Sequence, residues 1–336
     1  MCDSRESRSD PGKVFYAHWD HENDRREYLT DHLQAVANLA GRFAEVFGAK
    51  DLGYLAGLWH DVGKFSRAFQ EYIRSVDGTN AHIEGKGKID HSIAGAVKAV
   101  RDWESTNPVM ARILAYCIGG HHAGLADWDT DSDGSLKRRL ARNKPETADA
   151  LQAEKIVPSA VLIPQTMPPI QQGENPAFQI AFITRMLFSC LTDADFLSTE
   201  VFMDSQRTAQ RENKTPSWDV LAETLQHFLE HKQEAVKPSP VNDRRREVLH
   251  SCLERASDPP GYFSLTVPTG GGKTFSSLAF AFRHAKHHGM SRIIYAIPFT
   301  SIIEQNAAAF RQALGGWADK TVLEHHSNFD PRNETP

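Results

Sequence analysis

The sequence has few cysteines, no long hydrophobic run and no excess of positive charge. Its four cysteines, Cys2, Cys117, Cys190 and Cys252, lie far apart, so no pair has the spacing of a zinc site or a redox motif. No apolar run approaches the length of a membrane span, and the polar N-terminus lacks the apolar core of a secretory signal. We therefore expect a cytoplasmic protein that has no membrane partner.

The charge balance restricts how the chain could contact nucleic acid. The formal net charge is −5, whereas nucleic-acid-binding domains are usually basic. Any contact with DNA or RNA must therefore be local. The length of 336 residues is enough for two domains, and the 40% hydrophobic and 24% charged residues are ordinary for globular proteins.

Helical periodicity dominates residues 14–235, and no alternating strand pattern is convincing before residue 160. This part predicts an all-α domain with helices at about 28–47, 52–59, 65–73, 93–103, 108–118, 178–197 and 218–232. A stretch rich in acids and then in prolines, about 126–176, interrupts the pattern and predicts an insertion or long loop. The prolines of Lys237-Pro238-Ser239-Pro240 indicate a linker between domains.

The pattern changes in residues 236–336. Short β-type runs at 263–267 and 292–297 alternate with helical patterns at 274–287 and 301–314. Alternating strands and helices are typical of a parallel α/β sheet. We expect an all-α domain followed by a partial α/β domain.

Histidines are concentrated in the first domain. Eight of the 16 lie between His18 and His122, and none lies between Ala123 and Leu225. The central motif is His60-Asp61-Val62-Gly63-Lys64, at the end of a predicted apolar helix. The two oxygens of Asp61 could bridge two cations, and Lys64 is spaced to meet a phosphate oxygen.

Other imidazoles and carboxylates occupy positions that favour a buried site. His32 is on the apolar face of its helix, His91 precedes a run of small residues, and glycines flank His121-His122. Neighbouring helical residues point about 100° apart, so two adjacent ligands need a helix end or a kink. Acids on the apolar helix 178–197 are costly unless paired or metal-bound. Together these residues suit one or two transition-metal ions in a helical core.

The order of these motifs resembles the HD phosphohydrolase superfamily and, more closely, the nuclease domain of the CRISPR-associated helicase–nuclease of type I CRISPR systems. The matching stretches are Tyr16-Ala17-His18, His32-Leu33-Gln34-Ala35-Val36-Ala37, His60-Asp61-Val62-Gly63-Lys64-Phe65, Asp90-His91-Ser92-Ile93-Ala94-Gly95, Gly120-His121-His122 and Asp193-Ala194-Asp195-Phe196-Leu197. The resemblance implies an all-α fold whose buried metal centre cuts single-stranded DNA, recruited by an RNA-guided surveillance complex in antiviral defence.

The resemblance also implies ligands and catalytic residues. One metal would be held by His32, His60, Asp61 and Asp195, and a second by Asp61, His91, His121 and His122. His60, Asp61 and Lys64 would act in catalysis, with Mn, Fe, Co or Ni equally suitable. His18 could replace His32 or support it. Asp193 competes with Asp195, which is favoured because Leu197 stands two residues after it, as the family pattern has it.

A glycine loop, Val267-Pro268-Thr269-Gly270-Gly271-Gly272-Lys273-Thr274, lies between a predicted strand and a predicted helix. This context is typical of a phosphate-binding loop, with Val267 replacing the usual first glycine as superfamily 2 helicases allow. We expect Gly270, Gly272, Lys273 and Thr274 to bind ATP and Mg²⁺ in the full-length protein. Residues 293–305 resemble the following helicase motif, so 236–336 is identified as an incomplete RecA-like lobe.

The residues up to Pro336 do not include the Asp-Glu motif or the second lobe of such helicases. We therefore expect this chain to show no ATPase or helicase activity by itself. Two alternatives to a DNA nuclease stay open. The first is an HD phosphohydrolase of free nucleotides, and the second is a docking module for an RNA-guided complex with a merely structural metal.

Overall fold

The structure is a computed structural model that describes residues 14–75, 90–142, 144–153, 168, 170, 173, 175–211 and 215–326. The chain forms two compact units, Met1–Thr208 and Ala209–Pro336. The first unit contains the histidine-rich motifs and the second contains the glycine loop.

The first unit begins with an antiparallel hairpin that the sequence patterns do not predict. Strand β1 (Tyr16–Asp20) pairs with β2 (Arg25–Tyr28). Asp20 closes the turn, because its carboxylate accepts hydrogen bonds from the backbone N–H of Asn23 at 3.2 Å and from the guanidinium of Arg25 at 3.0 Å. The strands are too short for an alternating pattern to distinguish them from a loop.

Among the described residues, eight helices belong to the first unit, and a ninth, Ser205–Arg211, spans the division at 208/209. They are α1 (Leu29–Glu45), α2 (Lys50–Trp59), α3 (Arg67–Ser75), α4 (Ser92–Trp103), α5 (Pro108–Gly120), α6 (Leu136–Ala141), α7 (Pro145–Ala153), α8 (Pro176–Met203) and α9 (Ser205–Arg211). A 3-10 turn, Val62–Phe65, follows α2. Asn107 and Asn175 cap α5 and α8 by accepting a backbone N–H, and proline follows each cap, as helix starts favour.

Small residues allow the helices around the site to approach closely. A Cβ on Gly57 would lie 2.6 Å from Cα of Ala37, so α1 and α2 meet backbone to backbone. A Cβ on Gly95 would lie 1.8 Å from the carbonyl oxygen of Trp59, which brings α4 against the end of α2. Only glycine permits such close approaches. The His60-Asp61 motif is the next part of the chain after the contact at Trp59.

The segment predicted as an insertion or loop, 126–176, contains structure. Helices α6 and α7 lie in it, and Leu136 and Ala150 are buried in the main core. The loop alternative is therefore wrong for 136–141 and 145–153, because each short helix also packs a partly buried leucine, Leu140 or Leu151, against the main core. The insertion stays a prediction. Residues 154–167, 169, 171–172 and 174 lie outside the described part.

The described part of the second unit contains five helices. They are α10 (Trp218–Glu234), α11 (Pro240–Arg255), α12 (Lys273–His287), α13 (Thr300–Leu314) and α14 (Ala318–Thr321). Leu221 and Leu225 of α10 share an apolar cluster with Leu278, Phe282 and Phe310. This packing places α10 in the second unit, with the division at 208/209 rather than at the 235/236 boundary that we predict from the linker.

The runs at 263–267 and 292–297 lie between helices, as expected, but neither is assigned as a strand. A strand is defined by ladder hydrogen bonds to a neighbour, and the hairpin β1–β2 is the only sheet in the described residues. Within the same residues, no helix has the length and apolar character needed to cross a membrane.

Candidate metal centre

The candidate ligands lie mainly at helix ends. His60 follows the last residue of α2, His121 follows the last residue of α5, and His91 precedes the first residue of α4. Asp61 and His122 are in the turns that follow His60 and His121. Because the chain leaves the helical path there, adjacent side chains can converge on one centre, as the glycines around His121-His122 predict.

Four of the predicted residues form a first set: His32, His60, Asp61 and Asp195. One ligand atom from each lies within 4.8 Å of the others. The Nε2 of His32 is 3.3 Å from Oδ1 of Asp195, and Nε2 of His60 is 3.4 Å from the same oxygen. Nε2 of His60 is also 3.3 Å from Oδ2 of Asp61.

A second set consists of Asp61, His91, His121 and His122, with ligand atoms again within 4.8 Å of one another. Oδ1 of Asp61 lies 3.4 Å from Nε2 of His91 and 3.5 Å from Nε2 of His121. The Nε2 atoms of His91 and His122 are 2.9 Å apart, so both rings are directed at one point.

Asp61 belongs to both sets and is 1% exposed. Its Oδ2 faces His32 and His60, and its Oδ1 faces His91 and His121. One carboxylate with its oxygens turned toward two separate imidazole clusters has the arrangement of a bridging ligand between two cations.

Unsatisfied polar atoms test whether these residues fit metal ions. His60 donates Nδ1–H to the carbonyl of Gly57 at 2.7 Å, and His121 donates Nδ1–H to that of Ile118 at 2.7 Å. Their Nε2 atoms, and Oδ1 of Asp61, are buried without a hydrogen-bond partner in the described structure. Buried polar groups are normally paired, and a ring whose Nδ1 is held by a carbonyl presents Nε2 to a metal. The residues therefore fit divalent cations.

The electrostatics point the same way. Burial lowers the pKa of His60, but the carboxylates of Asp61 and Asp195 outweigh it and raise that pKa to about 10. Burial raises the pKa of Asp61, yet the charges of His60 and Lys64 hold it well below its usual range. Two ionised carboxylates in a buried site require compensating positive charge.

Lys64 supplies part of that charge. Its Nζ lies 2.7 Å from Oδ2 of Asp61 and donates to the carbonyl of Ala17 at 3.4 Å, and the residue is 1% exposed. The structure thus places the ammonium against a predicted metal ligand, and contact with a phosphate stays a prediction.

The two open choices of ligand are distinguished by geometry. Asp193 is exposed, whereas Asp195 faces His32 and His60. His18 belongs to neither main set: it is buried behind His32, and its Nδ1 lies 2.6 Å from Oε2 of Glu27. Sequence reasoning missed Glu27, and the turn residues Asn23-Asp24 between two short runs were the only signal for its hairpin.

The glycine loop precedes α12 as predicted. Gly270 and Gly272 have φ of +83° and +87°, a left-handed conformation that glycine adopts most easily. Lys273 begins α12 and Thr274 follows it. Arg245, on α11, donates its Nε–H to the carbonyl of Gly270 at 2.8 Å, a contact that the sequence does not indicate.

Two family models match separate parts of the chain. The family "Cas3, HD domain" matches residues 9–185, just over half of the chain. The chain belongs to the Cas3 HD-domain family. The family "Type III restriction enzyme, res subunit" matches residues 238–335, which contain the glycine loop.

Among individual relatives, the CRISPR-associated nuclease/helicase Cas3 of Haloferax volcanii is 36% identical over 101 residues, covering 26% of this chain and 11% of that protein. The crystal structure of T. fusca Cas3 matches with a TM-score of 0.50 at 16% identity, and T. fusca Cas3-ATP with 0.52 at 17%. These matches cover 92% and 93% of this chain, which spans 37% and 38% of those chains.

The predicted fold class, an all-α HD-type domain followed by a partial P-loop helicase domain, is therefore confirmed. The predicted identification with the helicase–nuclease of type I CRISPR systems is confirmed at the level of the family.

Proposed function

We propose that the HD domain is a metal-dependent nuclease that cleaves the phosphodiester bonds of single-stranded DNA. The observation that carries this proposal is Asp61, whose two oxygens face two separate clusters of imidazoles. Two ions bridged in this way would generate hydroxide at neutral pH and clamp the attacking and leaving oxygens of a phosphodiester.

Each protein residue would have a definite task at this centre. His32, His60 and Asp195 would bind on one side of Asp61, and His91, His121 and His122 on the other. The carbonyls of Gly57 and Ile118 keep the protons of His60 and His121 on Nδ1, so both rings present Nε2 inward. Lys64 would hold Oδ2 of Asp61 in place and limit the negative charge of the site.

The donor set restricts the metal. Each side of Asp61 combines nitrogen and oxygen ligands, and mixed ligands of this kind suit Mn, Fe, Co and Ni. Mg²⁺, which prefers oxygen ligands and retains several waters, fits the imidazole-rich side less well.

The second unit would connect this nuclease to a nucleotide-driven motor. We propose that Gly270, Gly272, Lys273 and Thr274 bind the phosphates of ATP with Mg²⁺, and that the longer relatives couple this to a helicase. CRISPR antiviral defence, with an RNA-guided surveillance complex as partner, is proposed from the family and from the name of the Haloferax volcanii protein.

A docking role for the basic patch Lys137-Arg138-Arg139 has less support. Lys137 lies 2.5 Å from the carboxylate of Asp129, and Arg138 lies 3.4 Å from that of Asp131. Arg139 donates to the carbonyl of Gly119 at 2.6 Å. These cations are already engaged within the unit, so the patch offers little free charge to a partner.

The test is metal-dependent cleavage by the purified chain. The protein is stripped with a chelator and then given Mn²⁺, Co²⁺ or Ni²⁺ with labelled single-stranded DNA, double-stranded DNA or free nucleotides. Cleavage that requires metal and prefers single strands supports the proposal. Hydrolysis of free nucleotides alone would favour the phosphohydrolase alternative, and metal binding without any hydrolysis would favour the docking alternative.

A further inference from the structure

Two histidines of the centre obtain their orientation from free backbone carbonyls. His60 and His121 each donate Nδ1–H to the carbonyl three residues earlier, in Gly57 and Ile118, at 2.7 Å. Both carbonyls belong to the last turn of a helix, where the helical ladder leaves acceptors unused. The backbone therefore fixes these two rings.

His32 has no such carbonyl. It is the fourth residue of α1, Leu29–Glu45, and carbonyls in the first turn of a helix accept the N–H groups of the next turn. Its ring is fully buried, and neither nitrogen forms a hydrogen bond to any described residue in this structure. Since Nε2 faces Asp195, the proton of a metal-binding His32 must be on Nδ1, where a side chain must accept it.

Glu27 is placed to be that side chain. Its Oε2 lies 3.4 Å from Nδ1 of His32, on the opposite side of the ring from Asp195. The same oxygen accepts a hydrogen bond from Nδ1–H of the buried His18 at 2.6 Å. The His18 ring meets the His32 ring edge to face, with centroids 4.8 Å apart, so both histidines enclose the carboxylate.

We propose that Glu27 is a positioning residue: it accepts the Nδ1 proton of His32 and thereby directs Nε2 at the first metal ion, while His18 holds Glu27 in place. The inference rests on the proposed metal centre. It also gives the hairpin β1–β2 a task, since β2 carries Glu27 and β1 carries His18. Removing a carboxylate that supports a ligating histidine typically weakens metal affinity 10- to 100-fold.

The test is calorimetric titration of the whole metal-free chain with Co²⁺, together with the visible absorption spectrum of the bound Co²⁺. We expect Glu27→Ala to lower the affinity for one of the two Co²⁺ ions about 100-fold and to change the absorption bands of that ion. The affinity for the ion at His91, His121 and His122 should stay the same. Glu27→Gln keeps an acceptor oxygen, so its affinity for the same ion should fall only about tenfold. The matched control is Glu22→Ala, an exposed carboxylate in the same hairpin.

The outcomes separate this role from the metal centre itself. Native affinity and a native Co²⁺ spectrum in Glu27→Gln and Glu27→Ala would overturn the role of Glu27 and leave the centre intact. If Glu27→Ala does not fold, the Glu27→Gln titration decides by the same criterion. If the native chain binds three Co²⁺ ions and Glu27→Ala binds two, Glu27 is itself a metal ligand together with His18 and His32. That result would also overturn the positioning role. A native chain that binds no Co²⁺ would overturn the centre and Glu27's role together.

Discussion

Replacing Asp61 by asparagine tests the centre most directly. Asparagine has the shape of aspartate but lacks its charge, so the packing around position 61 is preserved. In the native structure the ammonium of Lys64 lies 2.7 Å from Oδ2 of Asp61. In the metal-free protein the substitution therefore leaves this ammonium buried without its counter-charge. Both side chains are at most 2% exposed, so bulk water compensates poorly for the lost partner.

The expected cost follows from that burial. Removing one member of a buried ion pair typically costs about 3–5 kcal/mol, compared with about 5–15 kcal/mol for the stability of a whole domain. The variant should therefore stay folded while its melting temperature falls by about 6–20 °C. Differential scanning fluorimetry in the presence of a chelator measures this shift.

Cleavage should fall further than stability. Losing a bridging carboxylate removes an interaction of several kcal/mol, and about 4 kcal/mol corresponds to about a 10³-fold lower rate. The double variant Asp61→Asn with Lys64→Met removes both charges. Its melting temperature should recover because no unpaired charge remains, while its cleavage of single-stranded DNA should not.

Two results would refute this reasoning. Cleavage by Asp61→Asn within tenfold of the native rate would show that Asp61 does not bridge catalytic ions. An unchanged melting temperature in that variant, or a double variant no more stable than the single one, would show that Lys64 does not depend on Asp61.

Three further predictions concern the metal, the loop and the packing. Divalent metal at about 100 times its Kd should stabilise the chain by about 2.7 kcal/mol in a chelator-reversible way, and no shift would contradict a binding site. Arg245→Ala should weaken binding of a fluorescent ATP analogue about two- to tenfold, because Arg245 donates a hydrogen bond to the carbonyl of Gly270. The control Arg246→Ala should leave the affinity unchanged, and equal affinities in the two variants would refute this role. Gly63→Ala would place a Cβ 2.0 Å from the carbonyl oxygen of His91, so it should cost about 1–3 kcal/mol and weaken Co²⁺ binding. Native affinity in Gly63→Ala would contradict that.

Helix prediction succeeded where apolar periodicity was long. The periodic run at 28–47 corresponds to α1, and that at 274–287 corresponds to α12. The hairpin β1–β2 and the short helices α6 and α7 were not predicted, because elements of four to nine residues carry too little periodicity and depend on tertiary contacts such as that of Leu136 with the main core.

The candidate ligands illustrate a second limit. Sequence order alone singled out His60-Asp61 and His121-His122, and glycines beside the pair suggested that the helix ends there. Which of Asp193 and Asp195 faces the centre depends on the rotation of α8, so the structure decided it by placing Asp193 in solvent.

By itself, the sequence determined the chemical inventory of this protein: imidazoles and carboxylates in a recognisable order, and a glycine loop with its lysine. These features are local and can be read in chain order. Only the tertiary structure decided how Asp61 divides its oxygens between two clusters, that Lys64 neutralises it, and that Glu27 stands behind His32. Those relations join residues from separate helices and strands. The distances between such elements are set by their packing in three dimensions, and that packing cannot be read from the order of residues along the chain.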